Sequence, residues 1–445
     1  ADDDDRGFYR STTRGRTWER RNGYVSGGTG PHYYQELFAS PTDARRVYQI
    51  DVFLHVTPDG GETFRRLETG RNKHTDNHVV WIDPTDGRHL IVGCDAGLYE
   101  TFDEGVAWRH VSNLPISQFY RVAVDHSVPF TNVLGGAQDL GTLRGPTRTL
   151  HVDGVRNQDW MVVLGSDGYQ VAFDPEDGDV SYLEYQGGEV RRHDLSTMEL
   201  RDIKPQPAEG DPPERWAWDT PLLISPHRPE TIYVASQRLW RSDDRGESWT
   251  PISGDLTTDR NRYELPTVDR VVSVDSVYDH AAMSVFGTIT AVSASPLEDG
   301  VIFVGTDDGL LHATDDGGET WRRMAQPDGL PASAFVNDIE ASQHDVDVVI
   351  VAADDHQSGD YTPYLFESRD RGRSWSSITG DLPDDTIVWA VEQDHQRPEL
   401  LFVGAERGVH ITVDGGLSWH RLTKDMPTIA VRDLAIQRRD DDLVC

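Results

Sequence analysis

Lysine is almost missing from this sequence: Lys73, Lys204 and Lys424 are its only three, and arginine carries nearly all of the positive charge. Acidic residues are abundant, and the net charge is −34. Binding to nucleic acid needs clustered basic side chains at the phosphates, so the composition argues against a nucleic-acid partner. A pI near 4.7 fits either a surface adapted to high salt or an ordinary acidic protein from an arginine-rich genome.

Cysteine is also scarce, since Cys94 and Cys445 are the only two. Two cysteines do not make a disulfide framework, so they leave the cellular compartment open. Cys94 lies in the apolar segment 90–97, which predicts a buried thiol that packs as a small hydrophobe.

Long apolar runs are missing, because no stretch approaches the roughly 18 residues of a membrane span. A basic-then-apolar segment does not open the sequence, so we expect a secretion signal to be absent or already removed. We also find no Ser-His-Asp or Cys-His motif and no glycine-rich phosphate loop between a strand and a helix. The sequence therefore predicts no cofactor, apart from a weak metal candidate described below.

What the sequence does contain is a repeated octet: hydroxyl, any residue, Asp, any residue, Gly, any residue, hydroxyl, aromatic. The copies with the full pattern or close to it are residues 57–64, 101–108, 242–249, 314–321, 368–375 and 412–419, and a degenerate copy at 11–18 has Thr13 at the Asp position. The octet aspartates are Asp59, Asp103, Asp244, Asp316, Asp370 and Asp414.

Each position of the octet suits a tight hairpin turn. The Asp and the first hydroxyl can bond to backbone N–H groups, and the Gly accepts a positive φ. The aromatic residue can bury a large apolar face against a neighbouring unit. Calcium binding is the alternative, but so many copies favour a structural role.

The octet glycines lie 46, 44, 141, 72, 54 and 44 residues apart. A period of about 45 residues holds one four-stranded antiparallel sheet, the blade of a β-propeller. Short apolar segments, several closed by proline, recur ahead of most octets, and we predict that each is a blade's innermost strand. They are residues 36–41, 79–84, 120–126, 169–175, 221–226, 290–296, 338–343, 388–394 and 431–437.

These segments predict an all-β propeller with about nine blade equivalents. The chain begins with the third and fourth strands of a blade and ends with first and second strands. Either one large ring closes by joining the two ends, or the chain holds a seven-bladed ring plus blades of a second propeller.

The octet resembles the Asp-box, or BNR repeat, of sialidases, sortilin-type domains and xyloglucanases. The chain is most similar to the sortilin-like, glycosyl hydrolase BNR-repeat proteins. The segments that carry this resemblance are 74–84, 118–122, 135–141, 165–175, 186–195, 216–227 and 303–309. The resemblance implies two propellers, with residues 1–111 as the end of a first and 112–445 as a seven-bladed second. Sialidase chemistry is not implied, because an Arg-Ile-Pro segment is missing from the N-terminal region.

Propeller ligands usually sit where the loops that feed the inner strands meet the central channel. His74, Asp76 and His78 precede one such strand and would share a face if extended. They could then bind a divalent metal, contact another ligand, or simply line a polar channel.

Comparable loops in three consecutive blades hold Gln138 with Asp139, Ser166 with Asp167, and Trp216 and Trp218 with Asp219. Aromatic rings beside carboxylates suit a sugar, and they also suit a solvated channel mouth. We therefore predict ligand contacts at His74, His78, Gln138, Trp216 and Trp218.

Two insertions are candidate contact surfaces. The longer, 254–287, contains Asp269, Asp275, Tyr278, Asp279 and His280, and the shorter spans 354–364.

Two functions remain open. The first is a binding or scaffold propeller outside the cytoplasm, at the cell surface or secreted, that holds a protein or a glycan. The second is a glycoside hydrolase or polysaccharide lyase, which needs two carboxylates about 5–10 Å apart. The candidate catalytic carboxylates are Asp76, Asp139, Asp167 and Asp219.

Overall fold

A computed structural model describes residues 7–23, 36–114, 117–267, 270–271, 285–424 and 426–445. These residues form strands and turns, with three short 3₁₀ segments at Asn157–Asp159, Arg262–Glu264 and His356–Ser358. The prediction of an all-β propeller is confirmed. Asp269, Asp275, Tyr278, Asp279 and His280 of the longer insertion lie outside the described residues.

The chain divides into two compact units, with the boundary in sequence between Ser117 and Gln118. The N-terminal unit contains β1 (Phe8–Arg10), β2 (Glu19–Asn22), β3 (Leu37–Ala39), β4 (Val47–Gln49), β5 (His55–Thr57), β6 (Arg65–Arg66), β7 (Asn77–Ile82), β8 (Leu90–Cys94), β9 (Gly97–Thr101) and β10 (Arg109–His110). Here β3–β6 and β7–β10 form four-stranded antiparallel sheets, and β1 pairs with β2.

The second unit contains six four-stranded sheets and two pairs of strands. Its first three sheets are β11 (Arg121–Val124), β12 (Asn132–Ala137), β13 (Gly141–Pro146) and β14 (Met161–Leu164); β15 (Gly168–Phe173), β16 (Val180–Tyr185), β17 (Glu189–Asp194) and β18 (Glu199–Asp202); and β19 (Leu222–Ile224), β20 (Ile232–Ala235), β21 (Leu239–Ser242) and β22 (Thr250–Pro251). A short pair follows, β23 (Pro266–Thr267) and β24 (Arg270–Val271). The remaining sheets are β25 (Ile289–Ala294), β26 (Ile302–Thr306), β27 (Leu311–Thr314) and β28 (Arg322–Arg323); β29 (Phe335–Ala341), β30 (Val349–Asp355), β31 (Asp360–Ser368) and β32 (Ser376–Ser377); β33 (Val388–Gln393), β34 (Leu401–Ala405), β35 (Gly408–Thr412) and β36 (His420–Arg421); and the pair β37 (Ala435–Gln437) and β38 (Asp442–Val444).

All nine predicted inner strands are found, and each is the first strand of its sheet. They are β3, β7, β11, β15, β19, β25, β29, β33 and β37. Strands within a sheet follow chain order and run antiparallel, because each connects to the next by a short hairpin.

The strands near the two ends of the chain form separate two-stranded pairs. Among the described strands, β1 pairs only with β2, and β37 pairs only with β38. The ring closed by joining the termini stays a prediction. Within the second unit, the first sheet contacts the last pair of strands: the Val122 backbone N–H donates to Asp433 Oδ2 at 2.8 Å, and Arg148 donates to Asp442 at 2.6 Å. Neighbouring first strands contact one another around the central channel of the propeller, as β11 does with β15 and with β37.

The octets form self-bonded turns at the entrance to the outermost strand of a sheet. In the octet 412–419, Thr412 Oγ1 donates to Asp414 Oδ1 at 2.7 Å and accepts from the Gly416 N–H at 3.0 Å. Asp414 also accepts from the N–H and the hydroxyl of Ser418. The same bonds recur around Asp59, Asp244, Asp316 and Asp370. Asp103 lacks only the bond from the last hydroxyl of the octet, because Ala107 stands at that position.

In four octets the tryptophan ties its sheet to the one before it, through a hydrogen bond from its indole N–H to a backbone carbonyl. Trp321 Nε1 donates to the Ile252 carbonyl at 2.8 Å, and Trp375 Nε1 donates to the Ala325 carbonyl at 2.8 Å. The core lies between successive sheets, as in the cluster where Phe303 and Leu311 of one sheet meet Val351 of the next. Each fully buried side chain of this size contributes about 1.5–3 kcal/mol, so inter-sheet packing is the main source of stability.

Within the part of the chain that the structure describes, no helix has the length and apolar character needed to cross a bilayer.

Candidate functional site

The second unit has a cavity of about 330 Å³ at one end of its central channel. Residues from many of the sheets and their feeding loops line it: Tyr120, Arg121, Gln138, Tyr169, Ala217, Trp218, Asp219, Val285, Thr288, Thr290, Asp307, Phe335, Asn337, Asp354, His356, Gln357, Trp389 and Arg432. Both aromatic rings and charged groups contribute to its wall. This mixture can hold a ligand that has both apolar faces and a polar rim.

An arginine at the start of the first inner strand organises the floor of this cavity. Arg121 Nε donates to Asp219 Oδ2 at 2.9 Å, and Gln170 Nε2 donates to Asp219 Oδ1 at 3.0 Å. Arg121 also faces Asp433, at 3.9 Å. The guanidinium thus links the sheet that begins with β11 to carboxylates of two other sheets.

Further carboxylates line the channel along the inner strands. Asp338, Glu340, Glu392 and Asp433 are named here the channel carboxylates. Asp338 and Glu340 alternate along β29 with the buried Ile339 and Ala341. Because successive side chains of a strand point to opposite faces, the two carboxylates face the channel. Asp338 Oδ2 accepts a hydrogen bond from the Val391 backbone N–H of the next inner strand at 2.9 Å. Asp433 accepts from the Val122 N–H in the same way.

Burial changes the ionisation of these groups. It raises the pKa of Asp433 to about 7, against the opposing charge of Arg121. Burial, with the charge of Asp338, raises the pKa of Glu340 to about 8. Burial also raises the pKa of Glu392, and the negative charges of Glu340 and Asp338 raise it further. Burial alone would lower the pKa of Arg121, but the charges of Asp219, Asp433 and Asp338 outweigh it and raise that pKa.

Arg432 is a second cation of the cavity wall. The Arg432 guanidinium carbon lies 3.6 Å from the centre of the Trp389 ring, and the His356 ring meets the same indole edge-on at 5.6 Å. His356 Nδ1 contacts Asp354 Oδ1. The shorter insertion, 354–364, brings Asp354 and His356 here, because it extends β30 and β31 and turns through a 3₁₀ segment.

Asp307 is the remaining carboxylate of the wall. Its oxygens accept from the Gly287 N–H at 3.1 Å, the Thr288 N–H at 2.9 Å and the Thr288 hydroxyl at 3.0 Å. Burial raises the pKa of Asp307 to about 7 despite these donors. It can therefore carry a proton near neutral pH.

Gln138, Trp218 and Asp219 are the sequence-predicted residues that the structure brings together at the cavity. Trp218 has 51 % of its surface exposed. Trp216 is placed differently, because it packs with the cluster around Val190 and Ile203 and under Lys204 Nζ, which lies 5.3 Å from its ring. Of the two tryptophans, Trp218 is thus the one placed to meet a ligand.

Asp139 and Asp167 lie at adjacent loops, with the Asp139 N–H donating to Asp167 Oδ1 at 2.9 Å. Neither is among the described residues that line the cavity. Asp139 has a φ of 63°, and Ser166, next to Asp167, has a φ of 77°. These two carboxylates therefore shape the loops beside the cavity.

His74, Asp76 and His78 belong to the N-terminal unit and do not form a strand face. Asp76 has a φ of 59°, and β7 begins only at Asn77, so the expected alternation is wrong. His78 Nε2 contacts Asp95, and a contact with Cys94 is the main reason that the pKa of His74 rises to about 9. Cys94 is buried, as predicted. Within the described ranges, no three His, Cys, Asp or Glu side chains are arranged to hold a metal ion.

Most of the charged wall was not predicted from the sequence. The predicted site residues lie in the loops that feed the inner strands, whereas Arg121 and the channel carboxylates lie within the inner segments themselves. The signal was present, because a charged residue in an otherwise apolar inner strand has to face the channel. Arg432 and Asp433 lie beside each other in the segment 431–437, and Asp338 and Glu340 lie in the segment 338–343.

Comparison with known proteins gives a partial likeness. Two curated sequences named Xyloglucanase Xgh74A, from Acetivibrio thermocellus, are each 25% identical over 279 residues, covering 49% of this chain and 32% of the relative. The chain thus spans about a third of the length of these relatives. No protein-family profile matches the sequence.

Solved structures align over most of the chain at low scores. A GH74 xyloglucanase from Xanthomonas campestris gives a TM-score of 0.30 at 17% identity, over 94% of this chain and 70% of its own. A computationally designed protein, Ika8, gives 0.41 at 13% identity, over 82% and 92%. A GH74 enzyme from Niastella koreensis gives 0.25 at 12% identity, over 93% and 75%. Such scores are too low to carry an argument about the site. The chain is an all-β propeller protein whose sequence is similar, over about half its length, to xyloglucanases.

Proposed function

We propose that this protein acts on a polysaccharide, and that the cavity at the channel mouth holds one of its sugar units. The observation that carries the proposal is the neighbouring pair Trp218 and Asp219. A half-exposed indole offers an apolar face for a sugar ring, and beside it a carboxylate fixed by Arg121 and Gln170 can accept from sugar hydroxyls.

Hydrolysis of a glycosidic bond is the reaction that we favour for this site. It needs one carboxyl group that can be protonated and one that stays a carboxylate. Asp307, with its pKa raised to about 7, fits the acid, and Asp219, ion-paired with Arg121, fits the carboxylate. The sequence similarity to proteins named xyloglucanase supports this choice.

A binding module without turnover is the second candidate. It is favoured by the caged position of Asp307, whose oxygens already accept three different donors. Such a module would hold a glycan, or a protein that carries one, at the same mouth. Either function fits a location outside the cytoplasm, where polysaccharides occur.

We further propose that the octets are true Asp-boxes of the sortilin-like, BNR-repeat type. On the same proposal, residues 112–445 form a complete seven-bladed propeller, and residues 1–111 are the last blades of another. The ties from Asp433 to Val122 and from Arg148 to Asp442 support a ring closed within the second segment.

The test is a screen of polysaccharides that begins with xyloglucan, measuring both retention on the immobilised polymer and release of new reducing ends. Hydrolysis predicts release that falls at least about 100-fold in Asp219→Asn and in Asp307→Asn. Asp328→Asn, in an exposed loop, is the matched control and should match wild type. Retention without release would favour the binding module, and neither signal from any polysaccharide would contradict the proposed function.

A further inference from the structure

We infer that the cavity recognises an acidic sugar, a uronic acid unit of a polysaccharide, through Arg432 and Asp354. The inference rests on the proposed function, since it names the substrate class of the same cavity. Its basis is that, among the described residues, Arg432 and one oxygen of Asp354 have no hydrogen-bond partner, whereas Asp219 and Asp307 do.

Two of the three cavity carboxylates already have donors for both oxygens. Asp219 accepts from Gln170 at one oxygen and from Arg121 at the other. Asp307 accepts from backbone and hydroxyl donors of Gly287 and Thr288 at both oxygens. These groups are satisfied before a ligand arrives.

Arg432 is the unmatched cation of the wall. Among the described residues it forms no ion pair and no hydrogen bond, and its Nε is buried without a partner. One face of the guanidinium lies against the Trp389 ring at 3.6 Å, which fixes its plane. Asp354 and Glu406 affect it only electrostatically, from beyond ion-pair distance. A guanidinium held in this way offers N–H donors that suit a carboxylate.

Asp354 supplies the complementary acceptor. The residue is 2% exposed, and Oδ1 is occupied by the backbone N–H and the ring of His356. The other oxygen, Oδ2, is buried and has no hydrogen-bond partner among the residues that the structure describes. A buried acceptor of this kind needs a donor from the ligand, and a sugar hydroxyl provides one.

A uronic acid presents both groups side by side. Its ring carries a carboxylate on one carbon and a hydroxyl on the next, so the carboxylate can meet Arg432 while the hydroxyl donates to Asp354. A neutral hexose has a hydroxymethyl group in place of the carboxylate and leaves the cation unneutralised. The protein's charge of −34 opposes an acidic polymer at long range, but salt screens it beyond about 8 Å at 0.15 M.

The experiment compares two oligosaccharides by calorimetry at 0.15 M salt: one that contains glucuronic acid, and the same compound with its carboxyl groups reduced to alcohols. Wild type should bind the acidic form about tenfold or more tightly. Arg432→Gln should lose that preference while keeping its affinity for the reduced form, and Arg432→Lys should keep part of it. Arg369→Gln, an exposed arginine whose side chain is 73% accessible, should behave as wild type.

Asp354→Asn provides a second reading if Arg432→Gln fails to fold. This variant should lower the affinity for both compounds by a similar factor, because it alters the contact with the sugar hydroxyl and leaves Arg432 in place. Equal affinity of wild type for the two compounds, or an equal loss for both in Arg432→Gln, would overturn the inference and leave the proposed function standing. If wild type binds neither these compounds nor any polysaccharide of the screen, the proposed function fails as well.

Discussion

Arg121 donates from Nε to Asp219 Oδ2 at 2.9 Å, and it thereby joins the first and third sheets of the second unit across the central channel. The same guanidinium faces Asp433 of the last sheet at 3.9 Å. One side chain thus links three parts of the ring and fixes the carboxylate to which we assign sugar binding.

Replacing this arginine should destabilise the second unit strongly. Arg121→Gln leaves Asp219 and Asp433 without their cation. The Arg121 side chain is 18% exposed and that of Asp219 is 25% exposed, so the loss should lie between that of a surface pair and that of a fully buried pair, at about 1–3 kcal/mol. Urea unfolding followed by tryptophan fluorescence measures the loss, with the exposed Arg369→Gln as the control. A change below about 1 kcal/mol would show that the channel charges are solvated rather than paired.

Replacing Trp218 should affect glycan binding, whereas replacing Trp216 should affect the stability of the fold. Trp218→Ala removes a half-exposed ring, so it should abolish glycan binding and change the free energy of unfolding by less than about 0.5 kcal/mol. Trp216→Ala removes a ring packed against the core and Lys204, so it should cost about 2–4 kcal/mol. Calorimetric binding and chemical denaturation of both variants check this, and the reverse pattern would contradict the placement of the two indoles.

The octet aromatics should stabilise only where they reach a preceding sheet. Trp419 is buried and donates from Nε1 to the Ile378 carbonyl at 3.1 Å, so Trp419→Ala should cost about 3–5 kcal/mol. Trp18, in the degenerate octet, is 64% exposed, and Trp18→Ala should stay within about 0.5 kcal/mol. Equal losses in the two variants, measured by denaturation, would argue against the inter-sheet role of the octet.

Stability of the second unit should fall as the pH rises from 5 to 8. The folded-state pKa of Asp433 is about 7 and that of Glu340 about 8, above the ordinary values of 3.8 and 4.5. Between those limits the folded state holds protons that the unfolded state has released, so raising the pH favours unfolding. The octet aspartates do not affect the slope between pH 5 and 8. Their pKa values are lowered in the folded state, to about 2 for Asp316, so the stability that they contribute is lost only below about pH 4.

Urea unfolding at pH 5, 6.5 and 8 measures this slope. Glu392→Gln removes one channel carboxylate and should flatten it, whereas the exposed Glu319→Gln should leave it unchanged. A wild-type stability that rises over this range would show that the channel carboxylates are ionised in the folded protein.

The sequence was sufficient to predict the sheets, because the octet's turn chemistry and the period of the inner segments are local signals. The nine inner strands all lie where the pattern puts them. The site was predicted only in part. Gln138, Trp218 and Asp219 could be placed from their loops, but Arg121 and Arg432 depend on which strands face each other across the channel. The segment 74–78 departs from the prediction because Asp76 takes a left-handed backbone conformation.

The most direct test of the central claim, that the channel mouth binds a sugar, is a crystal structure of the protein soaked with the tightest oligosaccharide of the screen. The account predicts a sugar ring over Trp218 with hydroxyls bonded to Asp219. A sugar bound on the N-terminal unit or along the outer octets, with the cavity left to water, would contradict it.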